Sequence, residues 1–409
     1  MRLRTIPFTM VTLLVFTLAL SAQQSKDFYP DRYPNWETKT PTAMGIDANL
    51  LKEAIEFAQA NESESPKDLE MAHYQGFGRE PFGYAVGPFK VRGPQTGIII
   101  KNGYIIAEWG EPHRVDMTFS VSKTFLSSVV GLAYDRGLIK DVNDKVYEYM
   151  APVVPFEPYN KGMDNADHFG KPDVLPLFEN EHNKKITWDH LLRQTSAWKG
   201  TLWGKPDWAD RPSRDRTTWY DEEKAEPGTE YEYNDTRVNL LALCATNVWR
   251  RPLPEVLRDN IMDPIGASVK WRWHGYENSW VVIDGAPIQA VSGGGHWGGG
   301  MFLTARDQAR LGLLTLRNGR WKDQQILSEE WIKMSKTPGT ANKGYGYMNY
   351  FLNGEEGRYK NVPATSWSHI GAGTNMVYCD PENDLVIVAR WIKGGAIDEF
   401  LDKVITAIK

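Results

Sequence analysis

Cysteine is nearly absent. Two of 409 residues, Cys244 and Cys379, carry a thiol. That excludes a disulfide-built scaffold and the paired-cysteine zinc sites. Cys244 lies inside the helical run "LLALCATNV" and Cys379 closes an apolar strand, so two buried free thiols are expected. The eight His are scattered without an H-x-x-x-H spacing, and no metal site is expected. Basic clusters are missing too. Lys and Arg number 47 against 52 Asp and Glu, a net charge of -5, which speaks against a nucleic-acid partner. Beyond the start of the chain there is no apolar run of membrane-spanning length, so no stable membrane anchor is expected.

The start itself reads as a cleavable signal peptide over residues 1–22. Arg2 and Arg4 precede a short apolar core at 11–20, and Ala19, Ser21 and Ala22 supply small residues for cleavage. The expectation is a periplasmic or secreted mature chain, 23–409, forming a single catalytic domain. The rest has ordinary globular composition, 41% hydrophobic and 24% charged, with 16 Trp. Apolar periodicity predicts helices over 48–61, 236–250, 253–261, 304–318, 328–334 and 397–408. Asn102-Gly103, between two β-branched runs, predicts a hairpin over 96–110. Strands are predicted at 364–369, 374–379 and 385–391. Residues 63–94, 151–185 and 198–228 read as irregular. Strands at both ends and helices between predict an α+β fold. An antiparallel sheet forms from the N- and C-terminal parts, flanked by helices, with an inserted mainly helical subdomain. The α/β part spans about 42–118 and 300–409, the helical part about 119–299.

One segment carries chemistry. "TFSVSKTFLSSVVGL" (118–132) opens an apolar helix with Ser120 and Lys123. Three residues apart on a helix, they stack on one face. A lysine in apolar surroundings loses solvation, which favours its neutral form, and a serine at a helix N-terminus meets the positive end of the dipole. Ser-x-x-Lys is therefore a compact nucleophile–base unit. The spacing recurs at Ser196–Lys199, where no helix follows, and Ser196 is read as structural.

Further stretches follow in order. "EPGTEYEYNDTRVNLLAL" gives a Pro-Gly turn and then Tyr233, Asn234 and Asp235 before a helix. "SWSHIGAGTNMVYCDPENDLVIVARW" gives His369 and Gly371 on a strand. "ITWDHLLRQTSAW" and "GGGMFLTARDQARLGLLTLRNGRW" lie between. In these segments the sequence resembles the serine β-lactamase and penicillin-recognising superfamily. The likeness is to its class C-like branch, with carboxylesterases, D-aminopeptidases and amide-oligomer hydrolases. The motifs resembled are Ser-x-x-Lys, Tyr-x-Asn and Lys-Thr-Gly or His-x-Gly.

The resemblance implies Ser120 as acylated nucleophile, Lys123 as proton relay and Tyr233 as general base. It also implies an oxyanion hole from the backbone N–H groups of Ser120 and Ala372, and His369 with Gly371 beside the substrate. No cofactor is implied. Asp235 stands where the family usually has Asn. It is either the N-cap of the following helix or a carboxylate set against Lys123. Trp198, with Trp203, Trp208 and Trp219, either walls the substrate cleft or pins an irregular loop. The expected activity is hydrolysis of a small-molecule carboxylic ester through an acyl-enzyme. A peptidase or amidase on small or D-residue peptides and a penicillin-binding-like sensor without turnover are the alternatives.

Overall fold

The structure is a computed structural model. It describes residues 27–156, 174–219, 225–354, 359 and 361–408. The segment 1–22, expected to be a signal peptide, lies outside the described residues, as does the middle of the 151–185 stretch.

The helices are α1 (Ala48–Ala60), α2 (Leu69–Gly76), α3 (Ser122–Asp135), α4 (Trp188–Leu192), α5 (Asp235–Trp249), α6 (Leu253–Leu257), α7 (Ala305–Leu316), α8 (Glu329–Ser335) and α9 (Ile397–Thr406). The strands that frame the site are β1 (Thr96–Lys101), β2 (Tyr104–Trp109), β3 (Asp116–Met117), β4 (Arg272–Ile283), β5 (Ala286–Val291), β6 (Gly300–Leu303), β7 (Tyr350–Phe351), β8 (Trp367–Gly371), β9 (Asn375–Asp380) and β10 (Leu385–Arg390).

A six-stranded antiparallel sheet runs β7-β8-β9-β10-β1-β2, so the C-terminal strands do join the N-terminal hairpin. The hairpin turns at Asn102 (φ 53°) and Gly103 (φ 85°), the left-handed pair a two-residue turn requires. Alternation along the strands buries both faces. Ile98, Ile100, Val386 and Val388 point into the core shared with α3, α5 and α7. Ile99, Leu385, Ile387 and Ala389 point into a second core with α1 and α9. Helix α7 lies close on the sheet because Gly312 has no side chain. A Cβ there would sit 2.8 Å from Val377 and Val386.

Two elements differ from the sequence reading. Helix α2 lies in the 63–94 stretch read as loop. It is started by Asp68, whose carboxylate accepts from the Glu70 and Met71 amides at 3.0 and 3.1 Å. The chain also carries a second antiparallel sheet, in which β3, β6, β4 and the short Val154–Pro155 strand lie in that order with β5 on β4. Its long hairpin turns at Asp284 (φ 53°) and Gly285 (φ 80°). Cys244 and Cys379 are free and buried, and burial pushes the Cys379 thiol up to about 12.

Helix α3 is buried from Ser122 to Ala133. Gly131 lets Trp331 lie on it, since a Cβ would fall 2.4 Å from the indole Nε1. Gly131→Ala should therefore cost about 1–3 kcal/mol through overpacking, read as a lower urea midpoint. An unchanged midpoint would show that Trp331 can swing clear.

Candidate active site

The chain enters α3 through a sharp turn. Phe119 takes a left-handed φ of 49°, a conformation that costs a non-glycine residue energy and persists only where surroundings enforce it. Strand β6 enforces it from one side. The Met301 carbonyl accepts from the Thr118 amide (2.9 Å) and hydroxyl (3.1 Å), and the Met301 amide donates to Ser122 Oγ (2.7 Å). Strand β8 closes the other side. A Cβ on Gly371 would lie 2.2 Å from the Thr118 carbonyl and 3.0 Å from the Ser120 nitrogen, so only glycine fits. This approach brings the end of β8, just before Ala372, against the Ser120 amide, where the expected oxyanion hole of the Ser120 and Ala372 amides would form. Asn375 Nδ2 donates to the Ala372 carbonyl at 2.8 Å and fixes that turn.

Ser120 remains partly exposed. Lys123 Nζ donates to Ser120 Oγ at 2.9 Å, and the Tyr233 hydroxyl hydrogen-bonds to the same oxygen. Lys123 is almost wholly buried. Its ammonium lies 4.6 Å from the centre of the Tyr233 ring and 2.5 Å from Asp235 Oδ1. Burial pushes the Lys123 pKa below its ordinary value while Asp235 opposes the fall. A group held between these two pulls can take a proton and return it.

Asp235 is the first residue of α5, not its N-cap. Asn234 caps the helix, its side chain accepting from the Arg237 amide at 3.1 Å. Asp235 therefore turns inward, fully buried, to Lys123 and to Arg211 Nη1 at 3.0 Å. Lys123 and Arg211 hold its carboxyl below the ordinary range against the opposing effect of burial.

Tyr233 is the residue expected to act as general base. Burial first, then Asp235, push its phenol above the ordinary value, and Arg211 offsets only part of that. The ring packs edge-on against Tyr345, and its hydroxyl bonds to Tyr350. A raised pKa favours a phenol that donates its proton over one that accepts it.

His369 sits on β8 opposite Val377, but its ring is buried and lines a small cavity with Thr124, Ser127, Ser128 and Trp331. Alternation along the strand turns it under the sheet instead of toward the substrate. Burial pushes its pKa down to about 4, so it is neutral at working pH. Trp198 is fully buried, its Nε1 donating to the Leu177 carbonyl at 2.7 Å. It pins its loop and does not line the cleft. Ser196 is buried while Lys199 is exposed, so the second Ser-x-x-Lys is no catalytic unit.

A set of residues behind Lys123 escaped the sequence reading. Arg211 Nη1 bonds Asp210 Oδ1 at 2.5 Å, and Arg211 Nη2 lies 3.1 Å from His296 Nδ1. His296 Nε2 meets Glu80 Oε2 at 2.9 Å. Burial, against Arg211, pushes Asp210 up to about 6. The ligating atoms of Glu80, Asp210 and His296 lie within 4.8 Å of one another, a spacing that could hold a metal ion. The Arg211 guanidinium already bonds two of the three, and a divalent cation would sit against it, so the trio fits a clamp on Arg211 better. The glycine loop roofs the whole. A Cβ on Gly294 would fall 2.2 Å from Lys123 Nζ and closer still to Asp235 Oδ1. The one available signal was a histidine inside "SGGGHWGGG". The other members come from distant segments with no common spacing.

The Beta-lactamase family model matches residues 98–391. Among solved structures, the chain is similar to EstCE1, a hydrolase with promiscuous acyltransferase activity. That match has 16% identity and a TM-score of 0.54, and covers 88% of this chain and 99% of that one. It is similar to a family VIII carboxylesterase at 15% identity and a TM-score of 0.52, covering 89% and 99%. A putative 6-aminohexanoate-dimer hydrolase from Bacillus anthracis matches at 18% identity and a TM-score of 0.50, covering 76% and 78%. At these identities the structures show a shared fold, the α+β architecture expected. The family match spans the Ser120 turn, the Tyr233 segment and the β8–β10 strands, and the chain belongs to the Beta-lactamase family.

Proposed function

We propose that the protein is a serine hydrolase acting on neutral carboxylic esters of small molecules, and that the leader at 1–22 directs its export. The observation that carries the reading is the convergence of Lys123 Nζ, at 2.9 Å, and the Tyr233 hydroxyl on Ser120 Oγ.

The reaction follows from that convergence. Ser120 Oγ attacks the ester carbonyl carbon as its proton passes to Lys123 Nζ. The carbonyl oxygen becomes an oxyanion between the Ser120 and Ala372 amides. The bond to the alcohol oxygen then breaks, and that oxygen takes the Tyr233 proton, which the Lys123 ammonium replaces. Water attacks the acyl-enzyme by the reverse proton path, releasing the acid and restoring Ser120.

Ester selectivity rests on what the site does not offer. The cations beside the nucleophile, Lys123 and Arg211, are committed to Asp235 and Asp210. His369 is neutral and turned away. None of these three is free to hold a substrate carboxylate. The protonated Tyr233 favours a second reading, because an amine leaving group needs that proton. Comparing p-nitroanilides with p-nitrophenyl esters of one acid decides between amide and ester.

A fluorophosphonate should label Ser120, and Ser120→Ala should abolish label and turnover. Lys123→Ala and Tyr233→Phe should each lower kcat by roughly two orders of magnitude or more. Full activity in Tyr233→Phe would remove the phenol from the proton path.

Asp235→Asn tests the base. Catalysis requires neutral Lys123, so kcat/KM rises with pH through the Lys123 pKa. Asp235 raises that pKa, and its loss should move the rising limb to lower pH. Asp210 and His296 are the other groups facing this centre that titrate below neutrality, and Asp210→Asn should leave the limb's direction of response to Asp235 intact. A limb that stays put in Asp235→Asn would take Lys123 out of the base role.

Neutral p-nitrophenyl butyrate should exceed nitrocefin in kcat/KM by roughly ten- to a hundredfold or more, the worth of the missing charge-assisted contact. Parity would show that a cation reaches the antibiotic carboxylate.

A further inference from the structure

A cavity of about 210 Å³ opens beside the oxyanion turn. Its walls are Leu69, Ala72 and Phe77 from α2 and its C-cap, Phe119 and Ala372 from the two sides of the oxyanion turn, and Trp391 behind. Phe119 precedes the nucleophile, and Ala372 carries the second amide of the oxyanion pair. The pocket is therefore reached from the scissile carbonyl.

We propose that this pocket is the acyl site, and that it takes an unbranched or aryl-bearing apolar acyl group of about four to eight carbons. The inference rests on the esterase reading and names its substrate class. Three observations carry it. The first is direction. The leaving oxygen must face the Tyr233 hydroxyl, which packs with Tyr345 and Tyr350. None of these tyrosines lines the cavity, so the group placed there is on the acyl side of the carbonyl. The second is size. A cavity of roughly 150 Å³ holds benzene, and about 210 Å³ leaves room for one or two more methylenes. The third is chemistry and rigidity. The lining is mostly apolar, and its one imidazole, His73, is tied to the Gly83 carbonyl at 2.7 Å. Helix α2 is held by its Asp68 cap and by the Asp68–Val91 bridge, so the wall is formed before substrate arrives.

The test uses two series on the full mature chain. One is the rate of Ser120 labelling by alkyl fluorophosphonates from ethyl to dodecyl. The other is kcat/KM on p-nitrophenyl esters from acetate to dodecanoate, with phenylacetate. Both should rise about fourfold per added methylene up to hexyl or phenyl size, then level or fall. Two variants fill the pocket from different points. Ala72→Phe enters from the middle of α2. Gly76→Leu enters from its end, where a Cβ meets no atom within 4 Å, so the fold should tolerate it. Each should lower the hexanoate-to-acetate ratio at least tenfold. Chain-length-dependent labelling without ester turnover would end the esterase reading and leave the pocket standing. A flat labelling series, or folded variants that both keep the wild-type ratio, would overturn the pocket.

Discussion

The site is built around a buried ion pair. Lys123 and Asp235 are both removed from water and held 2.5 Å apart. Desolvating two such charges costs several kcal/mol apiece, and their attraction repays it only when the remaining polar atoms are also met. Here the second carboxylate oxygen of Asp235 faces Arg211. Arg211 in turn faces Asp210, whose other oxygen accepts from the Asp235 amide. Two cations and two carboxylates close a neutral ring. The loop segment 198–219 brings Asp210 and Arg211 to it, and the Trp198 anchor holds its start in place. The glycine loop seals the ring, because at Gly294 any side chain would displace the pair.

Backbone approach does comparable work at the nucleophile. Thr118–Ser122 is gripped by Met301 on one strand and by Gly371 on another. The Ser120 amide, one of the two proposed oxyanion donors, owes its placement to that grip. It requires a glycine where β8 meets the turn and a left-handed Phe119 inside it. The strain at Phe119 and the small size of Gly371 are two sides of one constraint, the need to bring two backbone segments closer than side chains allow.

Local signals made most of the fold legible. Asn102-Gly103 marks the hairpin, and the C-terminal strands and helices show their periods plainly. Asp284-Gly285 carries the same kind of turn signal for the β4–β5 hairpin, but its flanking residues alternate poorly. Helix α2 hides in a Gly- and Pro-rich stretch because it is eight residues long and weakly amphipathic. Within the site, Ser120, Lys123 and Tyr233 were legible from spacing and order, and the structure brings all three together. What spacing left open was direction. Asp235 lies one residue past the cap, and that single step swings its carboxylate from the helix end to Lys123. His369 lies on the expected strand, but which face it takes depends on register. Trp198 is an aromatic near a cleft whose indole points into the core. Arg211, Asp210, His296 and Glu80 meet only in space, so no spacing announces them.

The departure at 235 and the unannounced residues are one feature. Superfamily members usually carry an amide at the place of Asp235, and an amide asks for no counter-charge. A carboxylate there, wholly buried, cannot be satisfied by Lys123 alone if Lys123 must also surrender its proton. When the lysine is neutral, Asp235 would stand as an unpaired buried anion, a state costly enough to forbid the proton transfer. Arg211 removes that obstacle by supplying a permanent cation, since a guanidinium does not deprotonate in this range. Asp210, with His296 and Glu80 behind, keeps the guanidinium in position. Asp235 thus keeps a cationic partner whichever protonation state Lys123 holds, although with Lys123 neutral the cluster carries one net negative charge, since Arg211 also serves Asp210. That is the condition under which a lysine locked against a carboxylate can still act as a base.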